Sequence, residues 1–130
     1  SNAACTHPHN GESPLTAAER CLREELGVGA ALRAAFRFRY RAAVPPGFIE
    51  HEYDHVFVGT LDGAPNPPPH EVAAWRAVLS DELARELVAQ PEAFTVWFRL
   101  ALPLFQHWRE HDAERWENPF FDTTASASNT

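Results

Sequence analysis

The stretch AFRFRYRAAV, residues 35–44, constrains the fold more than any other. Phe36, Phe38 and Tyr40 alternate with Arg37, Arg39 and Arg41. This is the two-residue period of a strand with one apolar and one charged face. Pro45-Pro46-Gly47 turns the chain, and FIEHEYDHVFVGT (48–60) returns with the same period. On this second strand Glu50, Glu52 and Asp54 share one face, while His51, Tyr53 and His55 share the other. Three carboxylates in a row repel one another unless a cation or a proton sits among them. The hairpin therefore predicts a sheet and marks a candidate site on it.

The rest of the chain supplies helices. Ser13 followed by Pro14 is an N-cap and first-turn pair. Leu15, Ala18, Leu22 and Leu26 repeat at helical spacing, and Gly27 follows as a C-cap, so a helix is expected from about 14 to 26. The prolines of residues 61–70 make a rigid loop, and EVAAWRAVL (71–79) reads as a further strand. Ser80 opens a short helix to about Val88, and a longer amphipathic helix runs from roughly 93 to 112, bent or broken at Pro103. The closing DTTASASNT is poor in hydrophobes, so 119–130 is expected to be a disordered tail after one domain over 1–118. Strands and helices in mixed order predict an α+β or α/β sandwich.

Composition narrows the partners. Net charge is −7, and all 11 basic residues are arginine, which argues against a nucleic-acid surface. No run approaches the roughly 18 apolar residues of a membrane span, and no signal peptide is visible. Two cysteines, Cys5 and Cys21, make neither a disulfide framework nor a four-thiolate zinc site. The expectation from these numbers is a cytoplasmic protein without a nucleic-acid or membrane partner.

Two motifs carry chemistry. CTHPHNGES (5–13) places a thiol and an imidazole, Cys5 and His7, just ahead of the first helix. A zinc knuckle, a nucleophilic thiol and a cysteine used as proton donor are the three open readings. The helix itself contains Arg20-x-x-x-Glu24-Glu25-x-Gly27, with Glu12 eight residues before Arg20. This resembles the Nudix box, which gathers glutamates around a divalent cation bound to a diphosphate. A hard cation is what lets carboxylates approach two phosphates. Two positions depart from the pattern: Thr6 replaces its opening glycine, and Cys21 replaces the glutamate after Arg20. The plain alternative is a surface helix rich in Glu and Arg.

Read together, SNAACTHPHNGES, FRYRAAVPPGFIEHE and AFTVW resemble the type I isopentenyl-diphosphate isomerase branch of the Nudix superfamily. The matching positions are Asn2, Cys5, His7, Pro8, Gly11 and Glu12, then Tyr40, Glu50 and Glu52, then Trp97. The resemblance implies an α+β fold, a Nudix-like α/β/α sandwich with a mixed sheet that is N-terminally truncated here. It implies conversion of isopentenyl diphosphate to dimethylallyl diphosphate by protonation of an alkene and deprotonation on its opposite side. Cys5 and Glu52 would form the proton-exchanging pair, Tyr40 would hydrogen-bond near Glu52 and assist, and Trp97 would face the carbocation. Cys5, Glu25 and Trp97 would contact substrate. Glu25 would hold Mg²⁺ on the diphosphate, and His7, Glu50 and Glu52 a second divalent metal, Zn²⁺ or Mn²⁺.

Rival readings stand beside these. A helix tryptophan such as Trp97 is commonly core, and Glu50 and Glu52 also fit a solvated strand face. His9, His51, His55 and His70 are expected to have no catalytic role, although His55 sits close enough to support one of the acids. Arg37, Arg39 and Arg41 are expected on a solvated face. Family members carry further histidine ligands and basic diphosphate contacts upstream of the cysteine, so these 130 residues alone are expected to isomerise weakly or not at all. A Nudix hydrolase of a nucleoside or prenyl diphosphate, and an inactive diverged fragment, are the alternatives.

Overall fold

The computed structural model describes residues 7–70, 76–115 and 117–124. The elements run α1 (Pro14–Leu26), β1 (Ala30–Val44), β2 (Phe48–Leu61), α2 (Ser80–Ala89), α3 (Val96–His111) and β3 (Phe120–Asp122), with single 3₁₀ turns at Pro91–Ala93 and Ala113–Arg115. The sheet has the order β2-β1-β3, and β3 lies parallel to β1. The three-residue turn between β1 and β2 is far too short for a parallel crossover, so the sheet is mixed and the class is α+β. Among the described residues no helix is long and apolar enough to cross a membrane.

The chain divides into two compact units, the first formed by residues 1–34 and 57–78. Its helix is bounded by side-chain chemistry at both ends. The Ser13 hydroxyl accepts a hydrogen bond from the Thr16 N–H at 3.1 Å, and Pro14 fills a first-turn position where no backbone donor is needed. At the other end Gly27 adopts φ 66°, and its N–H bonds the Arg23 carbonyl. The Asn66 N–H comes in at 2.7 Å to satisfy the Leu26 carbonyl. A Cβ on residue 27 would lie 1.9 Å from the Asn66 carbonyl oxygen, so both conformation and space require glycine there. The buried stripe is Ala17, Cys21, Leu22 and Leu26, whereas Leu15 is 38% exposed. The apolar face is thus rotated from the one read through Leu15 and Ala18, and Cys21 belongs to the core.

The second unit is formed by residues 35–56 and 79–130. Ala35, Phe36, Phe38 and Tyr40 of β1 are buried, as are Phe98, Ala101, Leu102 and Trp108 of α3. Thr95 caps α3 by accepting from the Phe98 N–H at 3.1 Å. Pro103 sits inside the helix, which nevertheless continues from Val96 to His111. An interior proline costs about 3 kcal/mol; here its ring is exposed while Ala101, Leu102 and Trp108 remain buried on either side of it. Of the bend or break expected near Pro103, the break is absent.

Two further expectations change. The chain does not leave the fold at residue 119. Phe120–Asp122 pairs with β1 in the register Arg37↔Phe120, Phe38↔Phe121 and Arg39↔Asp122. Arg39 and Asp122 form an ion pair across that register, and the Thr123 hydroxyl donates to the Arg39 carbonyl at 2.8 Å. Of the strand expected over 71–79, residues 71–75 lie outside the described residues and 76–79 have no regular structure. The arginine face is also more engaged than expected, since Arg37 donates to the Tyr53 hydroxyl and to the Asn118 carbonyl, each at 3.1 Å.

Candidate active site

The second unit gathers four of the expected site residues. Glu50, Glu52 and Asp54 lie on the more covered face of β2, while His51, Tyr53 and His55 point to the exposed one. This reverses the usual preference, in which acids face water. Tyr40 is 2% exposed, and its hydroxyl donates to Glu50 Oε2 at 2.9 Å. The acceptor is thus Glu50, whereas Glu52 and Asp54 act on the phenol through their charge. Burial first, then the bond to Glu50 and the charges of the three acids, push the Tyr40 hydroxyl well above its ordinary 10. A phenol in this setting keeps its proton and serves as a donor.

An aromatic wall adjoins the acids. The Tyr40 ring stacks on Phe38 with centroids 5.8 Å apart, and Phe38 meets Trp97 at 6.1 Å. Trp97 stands in the first turn of α3, half-buried, with part of its surface accessible. Phe38 was legible only as one apolar residue in an alternating strand, and its function as the link between Tyr40 and Trp97 has no local sequence signal. Asp54 was visible on the acid face, but nothing in its spacing assigned it to the phenol.

The first unit holds the acids of the Arg20–Gly27 motif and its upstream Glu12. Arg20 takes Glu12 in a two-point bond, Nε to Oε2 at 2.9 Å and an Nη2 bond to Oε1 at 3.1 Å, and reaches Glu24 at 3.2 Å. The His9 N–H also donates to Glu12 at 2.9 Å. Arg20 first, then that backbone donor, lowers the Glu12 carboxyl from 4.5 to about 2. Glu12 therefore braces the loop against the helix, and Glu24 holds Arg20 from the next turn of α1. Glu25 is half-buried in the last turn of α1 and outside that network. His7 is exposed. Cys5, the expected proton-exchanging thiol, lies outside the described residues, as does Asn2.

The donor chemistry suits hard or borderline divalent cations, with two carboxylates, Glu50 and Glu52, side by side on one strand face. Among the described residues no three His, Cys, Asp or Glu side chains converge as a metal-holding group.

Comparison with known proteins adds to this geometry. The NUDIX domain family matches residues 2–98. The chain is 44% identical over 115 residues to an isopentenyl-diphosphate Delta-isomerase of Serratia proteamaculans, covering 88% of this chain and 63% of that protein. It is 48% identical over 104 residues to an isopentenyl-diphosphate Delta-isomerase of Nocardia farcinica, covering 79% and 59%. A third protein of that name, from Pectobacterium atrosepticum, is 38% identical over 116 residues, covering 88% and 65%. The chain spans about three fifths of the length of these curated relatives.

Proposed function

The chain belongs to the Nudix family, and from that premise we propose that it serves as an isopentenyl-diphosphate Delta-isomerase, shifting a double bond rather than breaking a phosphoanhydride bond. The observation that carries this reading is the bond from a buried Tyr40 to Glu50, on a covered strand face of three acids beside an aromatic wall. The similarity to proteins bearing that name supports it. Hydrolysis is disfavoured by the first unit: Cys21 is buried where the box expects a glutamate, and Glu12 and Glu24 are tied to Arg20.

An unactivated alkene is a poor base, so its protonation needs an acid held against it and a site that excludes water from the tertiary cation. In this reading one member of the pair Cys5 and Glu52 adds a proton to the terminal carbon. The other removes a proton from the carbon on the far side of the cationic centre, so atoms and charge balance. Tyr40, which keeps its proton, stabilises carboxylate charge on that strand face and does not act as a base. Trp97 offers a π face to the cation, a contact worth about 2 kcal/mol once desolvated. Phe38 and Trp97 keep water from that side. Glu25 would hold Mg²⁺ on the diphosphate, and His7, Glu50 and Glu52 a second cation, Zn²⁺ or Mn²⁺. When bound, these ions neutralise phosphate charge and fix carboxylate orientation. The setting we propose is the cytoplasm, with the protein a monomer or homodimer.

Incubation with isopentenyl diphosphate, followed by proton and phosphorus NMR, tests the reading. Appearance of dimethylallyl diphosphate with both phosphates retained is expected. Release of inorganic phosphate or a monophosphate, without allylic product, would replace it with the hydrolase reading.

A further inference from the structure

The last two turns of α3 carry His107-Trp108-Arg109-Glu110-His111. Residues four apart on a helix share one face, and here the two imidazoles stand with ring centroids 4.4 Å apart. Both are exposed. Glu110 Oε2 is 3.9 Å from His111 Nε2. The nearest cation in sequence, Arg109, is drawn away: it donates to the Ser80 hydroxyl at 2.6 Å and faces Asp81 at 3.9 Å. His107 is seated edge-on against Phe121 of β3, with centroids 5.9 Å apart and planes at 85°. The pair also stands at the carbonyl end of α3, where the helix dipole favours positive charge.

We infer that His107 and His111 form a surface clip for a borderline divalent transition metal, Cu²⁺, Ni²⁺ or Zn²⁺, with Glu110 at its rim. Two histidines at this helical spacing are a pattern that zinc enzymes use for two of their ligands. No third side chain converges on them among the described residues, so water fills the remaining positions and the site binds without catalysing. Imidazole ligands select Cu²⁺ over Ni²⁺ and discriminate against Mg²⁺, which demands oxygen donors. The clip is therefore separable from any cation accompanying a diphosphate. It concerns residues that the proposed isomerisation does not use.

Titration of the full chain with Cu²⁺ alone, read by electron paramagnetic resonance, tests this. The wild-type spectrum is expected to show coupling to two imidazole nitrogens, and excess Mg²⁺ is expected to leave it unchanged. His107→Gln and His111→Gln should each weaken the site about tenfold or more, the loss of one of two protein ligands. Far-UV circular dichroism monitors the fold of each variant. In the unaltered protein, substoichiometric Cu²⁺ should broaden the NMR signals of residues 107–111 first. Unchanged Cu²⁺ affinity and spectrum in the double variant, or broadening that begins elsewhere, would overturn the inference.

Discussion

Replacing Tyr40 by phenylalanine removes one oxygen and leaves the ring stacked on Phe38. It therefore isolates the hydroxyl that donates to Glu50 at 2.9 Å. A hydrogen bond to a charged group contributes about 1.5–3 kcal/mol. The acid face makes this bond more consequential. Neighbouring carboxylates two residues apart on a strand are separated by about 6.7 Å along its axis. That distance gives a repulsion of roughly 0.6 kcal/mol per pair at the dielectric constant of water and roughly 2.5 kcal/mol at an effective value of 20. Glu50→Ala thus removes the acceptor but also relieves repulsion, and its single effect mixes two signs. A double-mutant cycle with Tyr40→Phe and Glu50→Ala cancels the repulsion and reports the pair. Urea unfolding should show a coupling energy of about 1.5–3 kcal/mol with unchanged denaturant slopes. A coupling below about 0.5 kcal/mol would refute the claim that this bond organises the acid face.

Gly27→Ala should lower the unfolding free energy in urea by about 1–2 kcal/mol from the left-handed φ, and further because its Cβ meets the Asn66 carbonyl; an unchanged midpoint would contradict the cap geometry. Glu12 has its carboxyl lowered from 4.5 to about 2, so its contribution is present above pH 4.5 and is lost as pH falls toward 2. Thermal melts across that window should show Arg20→Gln flattening the loss that the wild type displays. Asp122, lowered from 3.8 to about 2 chiefly by Arg39, ties β3 to β1. Asp122→Asn should speed hydrogen exchange at the Arg37 N–H, which bonds the Pro119 carbonyl at 2.9 Å, while α1 amides stay unchanged.

Local signals read well where each element carried its own boundary. Ser13-Pro14 and Gly27 bracket α1 at the positions the sequence indicates, because caps act through adjacent backbone groups. The alternation of Phe36, Phe38 and Tyr40 with arginines announced β1, and the carboxylates of β2 were legible as one face. What failed depended on distant partners. Phe120–Asp122 is too short to announce a strand, and its pairing rests on Arg39, over eighty positions away. Pro103 breaks a lone helix, but burial of Ala101, Leu102 and Trp108 carries α3 past it. Cys21 reads as a lost ligand and becomes a core residue once the apolar stripe of α1 is known. The resemblance sets Tyr40 near Glu52, whose charge does act on its phenol, but no local signal shows that its bond goes to Glu50.

The most direct test of the isomerase account follows deuterium. Isopentenyl diphosphate is incubated with the protein in D₂O for hours, so that slow turnover still registers, and mass spectrometry counts deuterium in both isomers. The account predicts incorporation by the wild type, carried into dimethylallyl diphosphate, and its loss in Glu52→Gln with the fold intact. Incorporation that survives Glu52→Gln undiminished, or cleavage of the diphosphate without any deuterium uptake, would contradict it.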